Sequence, residues 1–548
     1  MIYDAVIIGG GHNGLVCACY LAARGLTVRV LERRHILGGA AVTEAFHPGF
    51  RNSTASYTVS LLHPDIIGDL RLYEHGLRIV ERPFSNFVPI PGGSGERAYL
   101  KLGGDLAATQ REVAKFSTRD AQRLPDYYAM LAGVVGILRA MVVKTPPNVG
   151  ERTFSSLADW WAAWDLGKHV AKLDLPQKRD LLALFTKSAG DLLDSWFESD
   201  AVKAAFGFDA VVGNYASPYA PGSAYVLLHH VFGEVNGKSG VWGHAIGGMG
   251  AITQAIAKEA AARGVELSTE ASVARVLLET RGGKKRARGV VLEDGTTIVA
   301  KRVVANVHPQ LLYLGMLDAA DLPDDFVHRI ERYRSGSGTL RMNVALSELP
   351  DFVALPGKHA QPHHASGIIM APSLAYMERA WTDARRDGWG HEPIVEMLIP
   401  STVDDTLAPP GAHVASLFCQ HFAPKLEATD AVARFANGWA DDAAREDAAD
   451  TVVDTVTRFA PNFKASIVAR QIHTPLDLER KFGLVGGDIF HGALALDQLF
   501  AARPVLGHAD YRAPIAGLYL CGAGAHPGGG VTGLPGRNAA REILRDRR

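Results

Sequence analysis

The residues with the most legible chemistry open the chain. Gly9-Gly10-Gly11-His12-Asn13-Gly14 follows the β-rich run Asp4–Ile8 and precedes a stretch with helical spacing that stops at Gly25. In this G-x-G-x-x-G pattern Gly9 permits a tight turn, Gly11 lets a pyrophosphate approach the backbone, and Gly14 lets helix and strand pack closely. The helix N-terminus, beginning with His12 and Asn13, offers N–H groups and positive dipole to that anion. A second apolar run, Thr27–Leu31, ends at Glu32, where a carboxylate accepts hydrogen bonds from ribose hydroxyls. Strand, helix, second strand and acid together predict a dinucleotide site, with FAD and NAD both compatible.

A later cluster, Gly522-Ala523-Gly524, also follows a strand-like run, Leu518–Cys521, but is not followed by a second strand and acid. It is expected to complete a site begun elsewhere, with a helix start that places N–H groups near a flavin, where reduction develops negative charge. The first cluster, continued through Glu32-Arg33-Arg34 to Gly38-Gly39-Ala40-Ala41, resembles the FAD-binding start of the phytoene desaturase-like flavoproteins. Gly247-Gly248-Met249 before a helix resembles their second FAD segment, and Leu518–Ala540 their C-terminal flavin motif. The similarity runs in order from Asp4 to the last helix and is nearest the branch of carotenoid ketolases and animal pyridine nucleotide-disulphide oxidoreductase domain proteins. Desaturases carry Gly-Gly-Arg where this chain has Gly39-Ala40, so an arginine near the cofactor is replaced.

The resemblance implies one non-covalent FAD, with Val273 against the adenosine and Asn306 ending the returning strand. Gly522 and Ala523 would flank the flavin, and Thr532 and Gly533 would contact it through backbone N–H groups. It implies FAD-dependent oxidation of a hydrophobic, isoprenoid- or lipid-like molecule, with hydride passing to flavin N5; the electron acceptor, a quinone or O2, is left open. A ketolase or amine-oxidase-like flavoenzyme is the alternative within enzymes, and a non-catalytic FAD protein that binds ligands or partners is the alternative outside them. His526, inside the C-terminal motif, and His229, beside His230, are the catalytic candidates, each weighed against a purely structural role. His363-His364 reads as an exposed loop, and no HExxH or Cys/His cluster supports a metal.

These residues need a scaffold that gathers distant segments. The expected fold is α/β: a three-layer, Rossmann-type FAD domain from residues 1–110, 233–310 and 495–548, with an inserted α+β substrate domain from 111–232 and 311–494. Residues from about 110 to 232 have helical spacing and hold Trp160, Trp161, Trp164 and Trp196. Strand-like runs Ala271–Glu279, Gly289–Glu293 and Ile298–Ala305 follow, with Asp294-Gly295 as a turn signal and the basic run Arg281–Arg288 as a solvated hairpin tip. The apolar stretch Tyr128–Val143 reads as a buried helix, with peripheral membrane contact as the competing reading.

Composition bounds the rest. The 57 Lys and Arg against 58 Asp and Glu leave a net charge of −1, which argues against a nucleic-acid partner. Four cysteines in 548 residues, none in a C-x-x-C pair, exclude a disulfide scaffold and a redox dithiol, and a reducing, cytoplasmic setting is expected. Glycine, at 57 residues, exceeds the usual share of about 7% and bunches at 9–14, 233–250 and 522–536. Oligomeric state is left open.

Overall fold

The computed structural model describes residues 2–150, 157–230, 233–357, 359–427 and 435–547. The expected boundary at residue 232 falls outside them. Strand β1 (Ala5–Ile8) leads through helix α1 (His12–Ala22) into β2 (Val28–Leu31). An excursion containing α2 (Thr118–Val142) and α3 (Ser223–His230) returns through α4 (Gly250–Ala262) to β3 (Glu266–Ser268) and β4 (Val303–Ala305). A second excursion precedes β5 (Leu518–Leu520) and α5 (Leu534–Arg545).

These strands form a parallel sheet in the order β3-β2-β1-β4-β5. Every residue of β1 and β4 is buried, as continuous apolar runs in the middle of a two-sided parallel sheet must be. The chain goes to opposite sides of β1 to make β2 and β4. This is the topological switch beyond whose strand ends ligands bind. Helices α1 and α5 pack closely enough that Gly536 lies against the Asn13 carbonyl.

The returning segment differs in detail from expectation. Val273–Arg281 and Lys284–Leu292 pair across the exposed Gly282-Gly283 turn, so the basic run spans that hairpin. The run Ile298–Ala305 is two strands. Thr297–Val299 closes the antiparallel sheet after the turn at Asp294-Gly295, and β4 enters the parallel one. Arg302, between them, breaks the apolar run.

The second sheet has seven strands, built mostly from Thr339–Leu346, Gly367–Met370, Trp389–Leu398, His413–Phe422 and Ile467–His473. It also takes Asn86–Pro89, paired parallel with Gly367–Met370, and Tyr99–Leu102. The chain therefore crosses between sheets before residue 86, earlier than the expected boundary at 110. Between residues 106 and 230 the described elements are all helices, as the spacing predicts, and Trp160, Trp161 and Trp164 are exposed on Leu157–Ala171. Tyr128–Val142 lies in α2, with Val143 as its C-cap, and the helix buries Leu131, Val134, Val135 and Leu138 on one face. Among the described residues no helix is long and apolar enough to cross a membrane.

Candidate functional site

A groove of about 270 Å³ runs across the carboxyl ends of β1, β2 and β4. The sequence candidates Gly9, Gly11, His12, Asn13, Glu32, Arg33, Gly39, Ala40, Val273, Asn306 and Ala523 all line it. Gly9 has φ +93°, a left-handed conformation that lets β1 turn sharply into α1. Gly11 caps α1 without a side chain, and the helix has no acid in its first turn to compete with an anion. Gly39 approaches so closely that a Cβ on it would come 3.0 Å from the Gly11 Cα. Gly14, Gly38 and Gly522 stand behind the lining and set the spacing: Cβ atoms there would strike Gly9, Thr253 and Asn306 respectively.

Side chains complete the frame. One Glu32 oxygen accepts from the Gly10 N–H at 2.8 Å and the other from the Arg34 N–H at 3.0 Å, which fixes the carboxylate at the groove edge. Asn306 donates Nδ2–H to the Gly9 carbonyl at 3.1 Å and thereby ties β4 to the glycine turn. Arg33 instead donates to the Arg480 carbonyl at 2.9 Å. Four lining side chains keep a buried polar atom without a protein partner: His12 Nε2, Asn13 Oδ1, Arg34 Nη1 and His491 Nδ1. Burial lowers the His12 pKa to about 4 and that of His491 to about 3, so both rings are neutral near pH 7. The glycine cradle, the anchored acid and these unpaired groups fit a dinucleotide with a polar, hydrogen-bonding end such as FAD.

The loop after β5 has this groove on one side and an apolar cavity of about 380 Å³ on the other. Ala523 lines the groove, whereas His526, Pro527, Gly529 and Thr532 line the cavity, together with His229 of α3 and Leu138, Met141 and Val142 of α2. Both catalytic candidates thus meet in one place. His526 hydrogen-bonds through Nε2 to the Met141 carbonyl at 3.3 Å, and His229 Nε2 packs against Gly530 of the loop. Burial lowers the pKa of His526 to about 4 and that of His229 to about 3. Neutral imidazoles that resist protonation are hydrogen-bonding groups here and weak bases, because an effective base is tuned near the working pH. Thr532 Oγ1 accepts from the Leu534 N–H at 3.1 Å, and its carbonyl accepts from His63. Gly533, with φ +73°, packs against Ile66. These two residues lie on the cavity side of the loop, away from the groove lining.

Sequence reasoning missed Arg34, His491 and Arg503. Arg503 is fully buried and donates to the carbonyls of Ala523 (2.8 Å) and Phe490 (2.7 Å), fastening the loop. A guanidinium that binds carbonyls leaves no charge pair in the sequence to find. His363 and His364, expected in an exposed loop, are buried: His364 Nδ1 accepts from the Gln361 N–H, and His364 Nε2 meets the Pro350 carbonyl. Among the described residues one trio, Asp383, Asp387 and His391, has metal-ligand spacing, but Arg386 already pairs with both carboxylates. All four cysteines are free and buried.

A parallel nucleotide-binding sheet joined to a larger mixed sheet, with a glycine groove and an apolar cavity on either side of one loop, defines the class of FAD-dependent oxidoreductases. The model of the flavin containing amine oxidoreductases matches residues 14–340, and the chain belongs to that family. It is 43% identical to mouse pyridine nucleotide-disulfide oxidoreductase domain-containing protein 2, over 99% of this chain and 94% of that one. A limonene dehydrogenase component from Castellaniella defragrans is 25% identical, over 99% and 94% of the two chains. The lycopene-forming phytoene desaturase of Pantoea ananas is 24% identical, over 97% and 96%. Cyclohexylamine oxidase from Brevibacterium oxydans shares the fold, with a TM-score of 0.56 at 15% identity and full coverage of both chains.

Proposed function

We propose that this chain dehydrogenates a hydrophobic, isoprenoid- or lipid-like molecule. One observation carries the reading: the loop Gly522–Gly533 has the dinucleotide groove on one side and an apolar cavity on the other. FAD bound in the groove supplies a two-electron acceptor. The first turn of α1 holds the pyrophosphate, Glu32 the ribose, and Asn306 and Arg503 keep the loop in register. The cavity wall, rich in Leu, Met, Val and Phe side chains with Asp65, Arg139 and Glu234 also on it, binds an apolar substrate. His526 and His229 stay neutral and orient groups by hydrogen bonding, so they take no proton, and the one that dehydrogenation releases leaves to solvent. Two relatives whose names specify terpene and carotene substrates support this class.

Anaerobic mixing of the FAD-loaded protein with a terpene series and, separately, with alkylamines tests the proposal through loss of visible flavin absorbance. Bleaching by terpenes is the expected result. Bleaching by amines alone overturns it.

A further inference from the structure

A second chamber, of about 480 Å³, lies on the far side of α2 and α3. His229 and His230 are consecutive, with rings 5.4 Å apart and nearly perpendicular. His229 faces the apolar cavity and His230 the second chamber, while Arg139 lines both. Most of the second wall is aromatic or aliphatic, including Tyr128, Phe206, Leu227 and Trp242, and it reaches the exposed Ala132 and Gly136 of α2. Within it the Asp209 carboxyl has no hydrogen bond or ion pair among the described residues. The buried Tyr127 hydroxyl also lacks a partner.

An unpaired carboxyl in apolar surroundings costs stability unless it is kept for a ligand. The charges on the wall narrow that ligand. The wall carries both signs, with Arg139 against a cation and the Asp105 carboxylate against an anion. Burial, and then repulsion from Glu396, raises the Asp209 pKa to about 8, so near pH 7 it is a neutral acid that donates a hydrogen bond. Tyr127 is a second donor. We propose that this chamber binds a neutral apolar molecule carrying an alcohol or ketone oxygen, and that Asp209 and Tyr127 hold that oxygen. The site is separate from the proposed substrate cavity, and binding there requires no turnover.

Calorimetric titration of the FAD-loaded protein with four probes of one shape, 4-phenylbutan-1-ol, 4-phenylbutan-2-one, butylbenzene and 4-phenylbutylamine, tests this. The alcohol should bind wild type at least about fivefold more tightly than butylbenzene, the worth of roughly one hydrogen bond. Asp209→Leu should cut that preference at least severalfold, leaving the share held by Tyr127, without weakening butylbenzene. Affinity for the matching ketone 4-phenylbutan-2-one, whose oxygen can only accept, should hold from about pH 6 to 7 and fall as pH rises through about 8, because the ionised acid no longer donates. Tyr127, Tyr128 and Arg139 of α2, His230 of α3, Asp105 on the chamber wall, and Glu396 are the other titratable groups facing Asp209. Asp209→Asn keeps a donor and should flatten that profile, which serves as the test if the leucine variant does not fold. An alcohol preference unchanged in Asp209→Leu, a profile unchanged in Asp209→Asn, or tighter binding of the amine near pH 7 overturns the proposal.

Discussion

Gly11 and Gly14 stand one turn apart and should fail differently when a side chain is added. A Cβ on Gly11 would come 2.9 Å from Asn306 Nδ2, a side chain that can move, whereas one on Gly14 would overlap the Gly9 carbonyl oxygen, which cannot. Gly11→Asp should therefore stay folded and lose FAD, because the carboxylate blocks and repels the pyrophosphate. Gly14→Ala should lose stability as well, by about 1–3 kcal/mol. Flavin absorbance per protein and a thermal melt separate the two outcomes, and full FAD occupancy in Gly11→Asp refutes the assignment. Asp209 gives a second prediction. Its pKa is raised in the fold, so the native state binds the proton more tightly, and stability falls as pH rises from about 4 to about 8. Asp209→Asn should raise the melting temperature, more at pH 8 than at pH 5, and an equal shift at both would sink this account. The glycines and Glu32 were legible because local spacing carries their chemistry. Arg34, His491 and Arg503 were not, since their meaning lies in carbonyls and surfaces that only the fold brings near.

Helix α5 is positioned by one glycine. A Cβ on Gly536 would overlap the Asn13 carbonyl oxygen and come within 3.1 Å of the Cys17 N, both backbone atoms of α1. Gly536→Ala must push the helices apart and, with them, the loop that Thr532 caps onto α5. The expected cost is about 2 kcal/mol or more, with weakened FAD binding as a direct consequence. A melt unchanged within a degree, with normal flavin content, would show that the helices can part freely. The three glycine clusters announced that distant elements converge, and they do so around α1, α4 and α5. Strands Asn86–Pro89 and Tyr99–Leu102 escaped notice because pairing with Gly367–Met370 is a long-range choice that a short apolar run does not encode. The reading of α2 as a buried helix was half the answer. Its burial is one-sided, and the helix separates two cavities.

At the scale of the molecule, the near-zero net charge isolates the source of pH sensitivity. With a net charge of −1 and a pI of about 7.1, general repulsion contributes little between pH 5 and 7. Buried histidines around the groove and its loop dominate instead: His12, His229, His230, His308, His491 and His526 all have pKa values depressed by burial. Five of them titrate at about 3 or 4 in the fold, whereas an unfolded histidine titrates near 6.5. Below about pH 6.5 the unfolded chain gains protons that the native state refuses, so stability falls with pH at up to about 1.4 kcal/mol per unit for each histidine. Asp180, Asp209, Glu396 and Asp488 act in the opposite sense, but four carboxyls do not balance six imidazoles. The urea midpoint should hold from pH 7.5 to 6.5, then drop steeply towards pH 5, with FAD released in the same transition because these rings surround its groove and loop. His526→Gln, which keeps a donor for the Met141 carbonyl, should make the drop shallower without moving the midpoint at pH 7.5 by much. A midpoint independent of pH across that range would mean that water reaches these rings in the native protein, and the groove would then be far more open than its packing implies.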